Sequence, residues 1–344
     1  MRVGIIGLPQ SGKTSYFSAV TGIPVELGSR EARIGIVHVP DDRLAAIADL
    51  VGSAKRTPPE LEFVDMIALD TDGGGQSEDF VKRIGNSDVC AVVVGGVAAS
   101  PESVTTDLDR VITELTLADL ITVENRLERI DKELERGRKE LQAEHDKLLS
   151  LKEILDEGQA LRCVPEAEPL VDQFRGLGLL SSRSMLAVIN RPQSMAGEID
   201  EAATAHAQAM GVPALCLDAS LERDLLELDE EERPLFMEAE GLEELAAPRT
   251  IRACFELLDV VTFYTAGEKE TRAIPVSAGT TAWEAAGKVH TDIQKGFQRA
   301  EVVGYDAFMA GGGWTGAKAA GKFRLEGRDY PIADGDVVHF RFTS

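Results

Sequence analysis

The residues best equipped for chemistry lie at the front of the chain, in Gly7-Leu8-Pro9-Gln10-Ser11-Gly12-Lys13-Thr14. The spacing is G-x-x-x-x-G-K-T, the pattern of a phosphate cradle. Loop amides turn inward onto an anion, and the start of the next helix adds positive partial charge. Gly7, Pro9, Gln10, Ser11, Gly12, Lys13, Thr14 and Ser15 are the candidate phosphate contacts. Lys13 is expected to reach the β- and γ-phosphates as a catalytic cation, and the Thr14 hydroxyl to hold Mg²⁺. Such a site needs a second carboxylate to hold the metal through water. Asp65, which ends a hydrophobic strand at a suitable distance down the chain, is the candidate for both the catalytic and the metal role. Asp70 and Asp72 are rivals in the loop that follows, where Gly73-Gly74-Gly75 suggests a segment able to order on γ-phosphate contact.

The elements that must position these groups are legible from periodicity. Val3-Gly4-Ile5-Ile6 reads as a buried strand before the loop, and Ser15–Val20 as a helix ending at Gly22. Asp41 is a plausible cap for a helix beginning at Asp42. Runs 62–67, 89–94, 185–189 and 214–217 read as central strands. This βα rhythm predicts a parallel sheet with helices on both faces.

Between 102 and 162 the pattern changes. Leu120, Leu127, Leu134, Leu141, Leu148 and Leu155 recur every seven residues. The second stripe, Val123 and Ile130, lapses at Gly137 and Glu144 and resumes at Leu151. The lapse at Gly137-Arg138 predicts an antiparallel hairpin inserted into the nucleotide-binding part, which spans 1–101 and 163–250. Residues 251–344 form a further domain. Turn signals at Gly311-Gly312-Gly313 and Asp334-Gly335 precede a last strand over 337–342.

Composition bounds the function. The chain has 344 residues and a net charge of −23, which argues against broad nucleic-acid binding. The charge is uneven: residues 1–250 carry −22, and residues 251–344 only −1. Twelve of the eighteen aromatics also lie beyond residue 250, where a packed core explains them more simply than RNA stacking. No run of eighteen apolar residues occurs, so no membrane span is expected. With strand pattern from the first residues, no signal peptide is expected either, which suggests the cytoplasm. Cys90, Cys163, Cys216 and Cys254 have no metal spacing and read as small buried residues.

At this point a resemblance becomes specific. Phe63-Val64-Asp65-Met66-Ile67-Ala68-Leu69 is similar to the third GTPase motif of the YchF family, an Obg-related group of P-loop NTPases. Thr113–Leu120 and Val123–Arg129 resemble its coiled-coil insertion. Phe263–Gly267, His290–Asp292, Lys295–Val302, Gly316–Lys318, Arg324–Tyr330 and Asp334–Phe342 resemble its C-terminal TGS domain, a ubiquitin-like β-grasp. The likeness runs in order through nearly the whole chain. It implies a G-domain-like α/β fold, Mg²⁺-dependent binding and slow hydrolysis of ATP or GTP, and association with a ribosome or structured RNA through hairpin and TGS domain.

The family's base preference is tied to N-x-x-E in place of N-K-x-D; here the segment is Asn190-Arg191-Pro192-Gln193. Asn190 is implied as a base contact. Gln193 lacks the carboxylate that selects guanine, and its amide suits adenine's donor–acceptor edge equally. Asp218-Ala219-Ser220 matches the loop backing the base. Ser29 falls near the switch threonine that closes on Mg²⁺. Ala68 replaces a glycine whose N–H faces the γ-phosphate. Leu69 stands where many GTPases carry a water-orienting glutamine, and Gln10 replaces the family's P-loop asparagine. The chain reads as a divergent member acting as a molecular switch. The alternatives are a regulatory module that holds nucleotide with negligible hydrolysis and, less well supported, a small-molecule kinase.

Overall fold

The computed structural model describes residues 1–25, 33–65, 69, 80 and 84–343. The strands are β1 (Arg2–Ile6), β2 (Arg33–His38), β3 (Arg56–Thr57), β4 (Glu60–Asp65), β5 (Val89–Gly95), β6 (Ser184–Asn190), β7 (Ala214–Leu217), β8 (Val260–Thr265), β9 (Thr271–Ser277), β10 (Phe297–Gly304), β11 (Arg324–Glu326) and β12 (Asp336–Phe342). The principal helices are α1 (Lys13–Thr21), α2 (Asp42–Val51), α3 (Pro101–Glu135), α4 (Gln142–Asp156), α5 (Ala196–Ala209), α6 (Ala219–Leu226), α7 (Ala246–Glu256) and α8 (Ala282–Val289). The chain folds as two units, Met1–Val37 with Glu62–Leu257 and His38–Leu61 with Leu258–Ser344.

The first unit is built on a sheet of order β2-β4-β1-β5-β6-β7. The pairs β1–β4, β1–β5, β5–β6 and β6–β7 are parallel. Parallel strands covered on both faces must be apolar throughout, and β5 and β6 are buried almost end to end. One helix layer is α3 with α5; the other is α1 with α6 and α7.

Helix α3 belongs to two cores at once. Ser100 caps it in a reciprocal box with Ser103, and Pro101 occupies the first turn, where a missing N–H costs nothing. Val104, Leu108, Val111 and Leu115 then pack on the sheet. Farther along the same helix, Val123, Leu127 and Ile130 meet Leu148, Leu151 and Leu155 of α4. The heptad stripe therefore marks the hairpin, with the reversal at Gly137, whose φ of 92° is left-handed. The sequence boundary at 102 cuts a helix whose first turns cover the sheet. Ion pairs Arg126–Glu144 and Lys152–Glu124 cross the hairpin. Where α3 leaves the sheet, buried Asp119 accepts from the amides of Leu180 (2.6 Å) and Ser181 (2.7 Å), and burial pushes its carboxyl up to about 6.

The second unit holds a sheet of order β11-β10-β12-β8-β9-β3. β8–β9 and β10–β12 are antiparallel and β12 lies parallel to β8, the β-grasp arrangement, with α8 packed on the sheet. Segment 38–61, which the sequence reading keeps within 1–101, belongs to this unit. Its β3 pairs with β9, Tyr264 donates to Asp41 (2.8 Å), and Arg43 pairs with Asp334 (2.6 Å). Asp41 caps α2 as expected, accepting from Leu44. The C-terminal aromatics pack largely inward: Phe263 and Phe340 meet edge to face at 6.0 Å, and Phe308 and Trp314 at 5.3 Å. Cys90 and Cys254 are buried, Cys216 is half-buried, and Cys163 is exposed, contrary to expectation for that residue. Among the described residues no helix is long and apolar enough to cross a membrane.

Leu151 is fully buried at the centre of the hairpin contact. Leu151→Ala is expected to cost about 2–5 kcal/mol through lost transfer energy and residual cavity. Amide hydrogen exchange should register this as faster exchange over 123–155, with protection of β8 and β12 unchanged.

Candidate functional site

The glycine loop leaves the end of β1, held between β4 and β5. A Cβ on Gly7 would overlap the carbonyl oxygen of Val93 on β5, and one on Gly12 would overlap the Asn190 amide nitrogen. Gly12, at φ 89°, turns the chain into α1 without a side-chain cap. The amides of Lys13, Thr14 and Ser15 therefore open the helix with no partner inside it, while Tyr16 makes the first regular bond, to Gly12 O. Gln10 adopts a left-handed φ of 65°, unusual for a residue with a Cβ. The Ser11 hydroxyl is buried with no partner among the described residues. A phosphate oxygen at the loop would supply one.

Two opposite charges lie at the mouth of this cradle. Lys13 is only 8% exposed and donates from Nζ to the Leu8 carbonyl at 2.6 Å. Burial lowers its ammonium from 10.5 to about 8, partly countered by Asp65. Asp65 is also buried, at 7% exposure, and burial raises its carboxyl above the usual range despite Thr14, Lys13 and Arg33. Thr14 Oγ1 donates to Asp65 Oδ2 at 3.3 Å. Two of the three oxygen ligands named from sequence, Thr14 and Asp65, are thus neighbours, supplied by α1 and β4.

The base-side residues meet the same loop. Asn190, at the end of β6, donates from Nδ2 to Ser11 O (2.9 Å) and accepts at Oδ1 from Ala219 N (3.0 Å). Asp218 caps α6, accepting at Oδ1 from Ser220 N and Leu221 N, and its Oδ2 accepts from Gln193 N at 3.0 Å. The Gln193 side chain is engaged at both ends. Its Oε1 accepts from Arg191 (2.8 Å) and its Nε2 donates to Glu240 O (2.9 Å). Arg191 was not singled out from sequence. It is 6% exposed and forms a two-point pair with Asp200, both contacts 2.8 Å, which raises its pKa further. Its basic type beside the Asn190 motif was the only available signal.

Leu69 is 2% exposed in the sheet core with Ile6 and Leu8, and its amide donates to Gly7 O at 3.2 Å. It is therefore turned away from any water-orienting role. Ser29 and Ala68 lie outside the described residues, as do Asp70, Asp72 and Gly73-Gly74-Gly75. Pro9 is exposed.

Comparison with known proteins resolves the ancestry. The ribosome-binding ATPase YchF of Bacillus subtilis (strain 168) is 35% identical over 365 residues, covering 100% of this chain and 99% of that protein. The chain belongs to the YchF family. Its counterpart of the same name from Escherichia coli O157:H7 is 34% identical, with 99% of each covered. Residues 260–343 match the family model YchF-GTPase_C, described as a protein of unknown function (DUF933). The fold also matches the Schizosaccharomyces pombe YchF GTPase structure with a TM-score of 0.80 at 22% identity, covering 99% of this chain and 97% of that one. Within a YchF frame, the Arg191 clamp on Gln193 is a local feature of the base-side loop in this chain.

The lowered pKa of Lys13 sets a pH window. Below about 8 the ammonium is charged and able to meet phosphate; above it, charging must be driven by the ligand. Triphosphate affinity should therefore fall as pH rises through 8, by about tenfold per unit until the bound-state pKa is reached. A fluorescent-nucleotide titration across this range reads the slope. The folded protein carries a cost for charged Lys13 below 8, relieved between 8 and 10.5, so this loss of affinity is not a loss of fold.

Proposed function

We propose that the chain binds a purine nucleoside triphosphate with Mg²⁺ at the glycine loop, hydrolyses it slowly, and works as a switch on the ribosome. The carrying observation is the convergence of Lys13, Thr14 and Asp65 beside a loop with free helix-opening amides. Thr14 and Asp65 offer hard oxygen ligands, and the buried, partly compensated carboxylate suits a hard dication. When bound, Mg²⁺ supplies charge neutralisation on the β- and γ-oxygens.

The chain's own groups do the rest. Lys13 shifts from the Leu8 carbonyl to the phosphates. The amides of Gly12 through Ser15 hold the triphosphate in fixed orientation, the preorganised part of catalysis. Asn190 and the Ala219–Ser220 backbone support the base, with Gln193 and Asp218 beside it. Ala68 and Ser29 would meet the γ-phosphate and the metal. Burial of Leu69 supports slow turnover, because water would be oriented without a side chain at that position. The ribosome is proposed from the names of the relatives, with the hairpin and the C-terminal TGS-like unit as contact surfaces, and the cytoplasm follows as the compartment.

Multiple-turnover phosphate release with ATP and with GTP, each with and without ribosomes, tests this reading. Slow release accelerated by ribosomes is expected; tight binding with no turnover in either condition leaves the regulatory-module reading instead. Lys13→Ala should abolish nucleotide binding in calorimetry, since the loop keeps its amides but loses its cation. Gln193→Asp removes the donor to Glu240 O and introduces an ionised acceptor. It should move the ATP:GTP affinity ratio toward GTP by about 1–3 kcal/mol, as for a bidentate base contact. An unchanged ratio removes Gln193 from base reading.

A further inference from the structure

A cavity of about 640 Å³ lies at the foot of the hairpin, within the first unit, where the chain returns from α4 to β6. None of its lining residues belongs to the glycine loop. Arg183, next to the first residue of β6, borders it, whereas Asn190 stands at the far end of that seven-residue strand, about 20 Å away.

Two guanidinium groups border this cavity without carboxylate partners among the described residues. Nε and Nη1 of Arg162 and Nε of Arg183 are buried and make no hydrogen bond. Arg183 spends one N–H on Gly85 O at 2.8 Å. Arg162 anchors only its backbone, to Ser181 O at 3.1 Å. Buried Asp119 feels the Arg183 charge but makes no ion pair with it, since its oxygens accept from the amides of Leu180 and Ser181. Of the acidic groups on the rim, Asp172 is paired with Arg175 at 3.0 Å, and Glu168 is exposed. Burial lowers the pKa of Arg162, with only the thiols of Cys163 and Cys90 opposing. Buried N–H groups are ordinarily satisfied, and a desolvated cation with no carboxylate beside it, as at Arg162, is unfavourable. Leu161, Val164, Val171 and Phe174 form an apolar part of the wall, and Ser182 and Ser184 add hydroxyls to it.

We propose that Arg162 and Arg183 form a second anion site that takes a small organic phosphate monoester. The phosphate would sit on the two guanidiniums, whose planar forks match its oxygens, and the organic body along Leu161, Val164 and Phe174. The cavity exceeds what a bare ion needs and falls in the range of small-molecule sites. A phosphodiester polymer is disfavoured, because residues 1–250 carry a net charge of −22 that repels a polyanion while a single small anion reaches the paired cations.

The test uses the full chain carrying Lys13→Ala, so that the glycine loop does not compete, with phenyl phosphate as probe in calorimetry. Saturable one-site binding is expected, at least tenfold tighter than inorganic phosphate and tenfold or more weaker after Arg162→Met. Met replaces a buried unpaired cation with an apolar chain of similar length, so the melting temperature should hold or rise. If that variant misfolds, Arg162→Lys and Arg183→Lys keep charge but lose the fork and should each weaken phenyl phosphate binding. Absence of saturable binding at millimolar phenyl phosphate would overturn the proposal. So would affinity indifferent to all three variants, or binding of a short single-stranded RNA without binding of phenyl phosphate. Equal affinity for inorganic and phenyl phosphate would also overturn it, since the apolar wall would then contribute nothing.

Discussion

The Asn190 side chain is the constraint on which the first unit's site depends. Its amide nitrogen holds the Ser11 carbonyl, and its amide oxygen holds the Ala219 N–H. One short side chain with both a donor and an acceptor thereby fixes the glycine loop, the end of β6 and the start of α6. The loop and Asn190 are 179 residues apart in sequence yet form one mechanical object. Gly12 shows how tight that object is, since any Cβ there would strike the clamp. The proposed phosphate cradle and base pocket lie on separate loops, and this bond ties one to the other.

Charge at the site is arranged by a different rule from charge elsewhere in the unit. Arg191 and Asp200 satisfy each other at two points, and a further Arg191 N–H goes to Gln193. Lys13 and Asp65 instead remain only partly compensated, each pushed by burial toward its neutral form. A closed ion pair would hold the loop shut against a polyanionic ligand. A partly compensated one would keep both groups available to the Mg²⁺-bound triphosphate proposed above. The interior position of Leu69 belongs to the same logic: it closes the sheet core beneath the cradle and gives up a polar side chain above it.

Much of this was legible in the residues. The G-x-x-x-x-G-K-T spacing, the buried strands and the heptad stripe each follow from local pattern, and the stripe's lapse marked the turn at Gly137. What was not legible depends on distant pairing. Segment 38–61 has the same βα rhythm as its neighbours, and distant contacts assign it to the second unit: the pairing of Arg56-Thr57 with Thr271-Arg272, the Arg43–Asp334 and Tyr264–Asp41 bonds, and the packing of Leu44 and Ile47 with Tyr264. Likewise Gln193 is visible as a motif position, but its capture by Arg191 and Glu240 depends on the fold of the intervening chain. Helix α3 defeats a boundary drawn on composition because its two halves obey one helical period while serving two cores.

That double service has a geometric consequence. Gly96, following β5, donates its amide to Asn190 O at 2.8 Å, and its missing Cβ leaves room for the Gln10 carbonyl. Five residues later α3 begins, continuous for 35 residues and so about 50 Å long. The glycine loop, the Asn190 clamp and the start of this helix are therefore in one contiguous packing network. Val104, Leu108, Val111 and Leu115 fix its first half in the sheet core, so the half that carries the hairpin is anchored through the same elements that hold the glycine loop. The hairpin adds little to the stability of the sheet, yet its root shares a packed core with Ile6 and Leu8, which flank the start of the cradle.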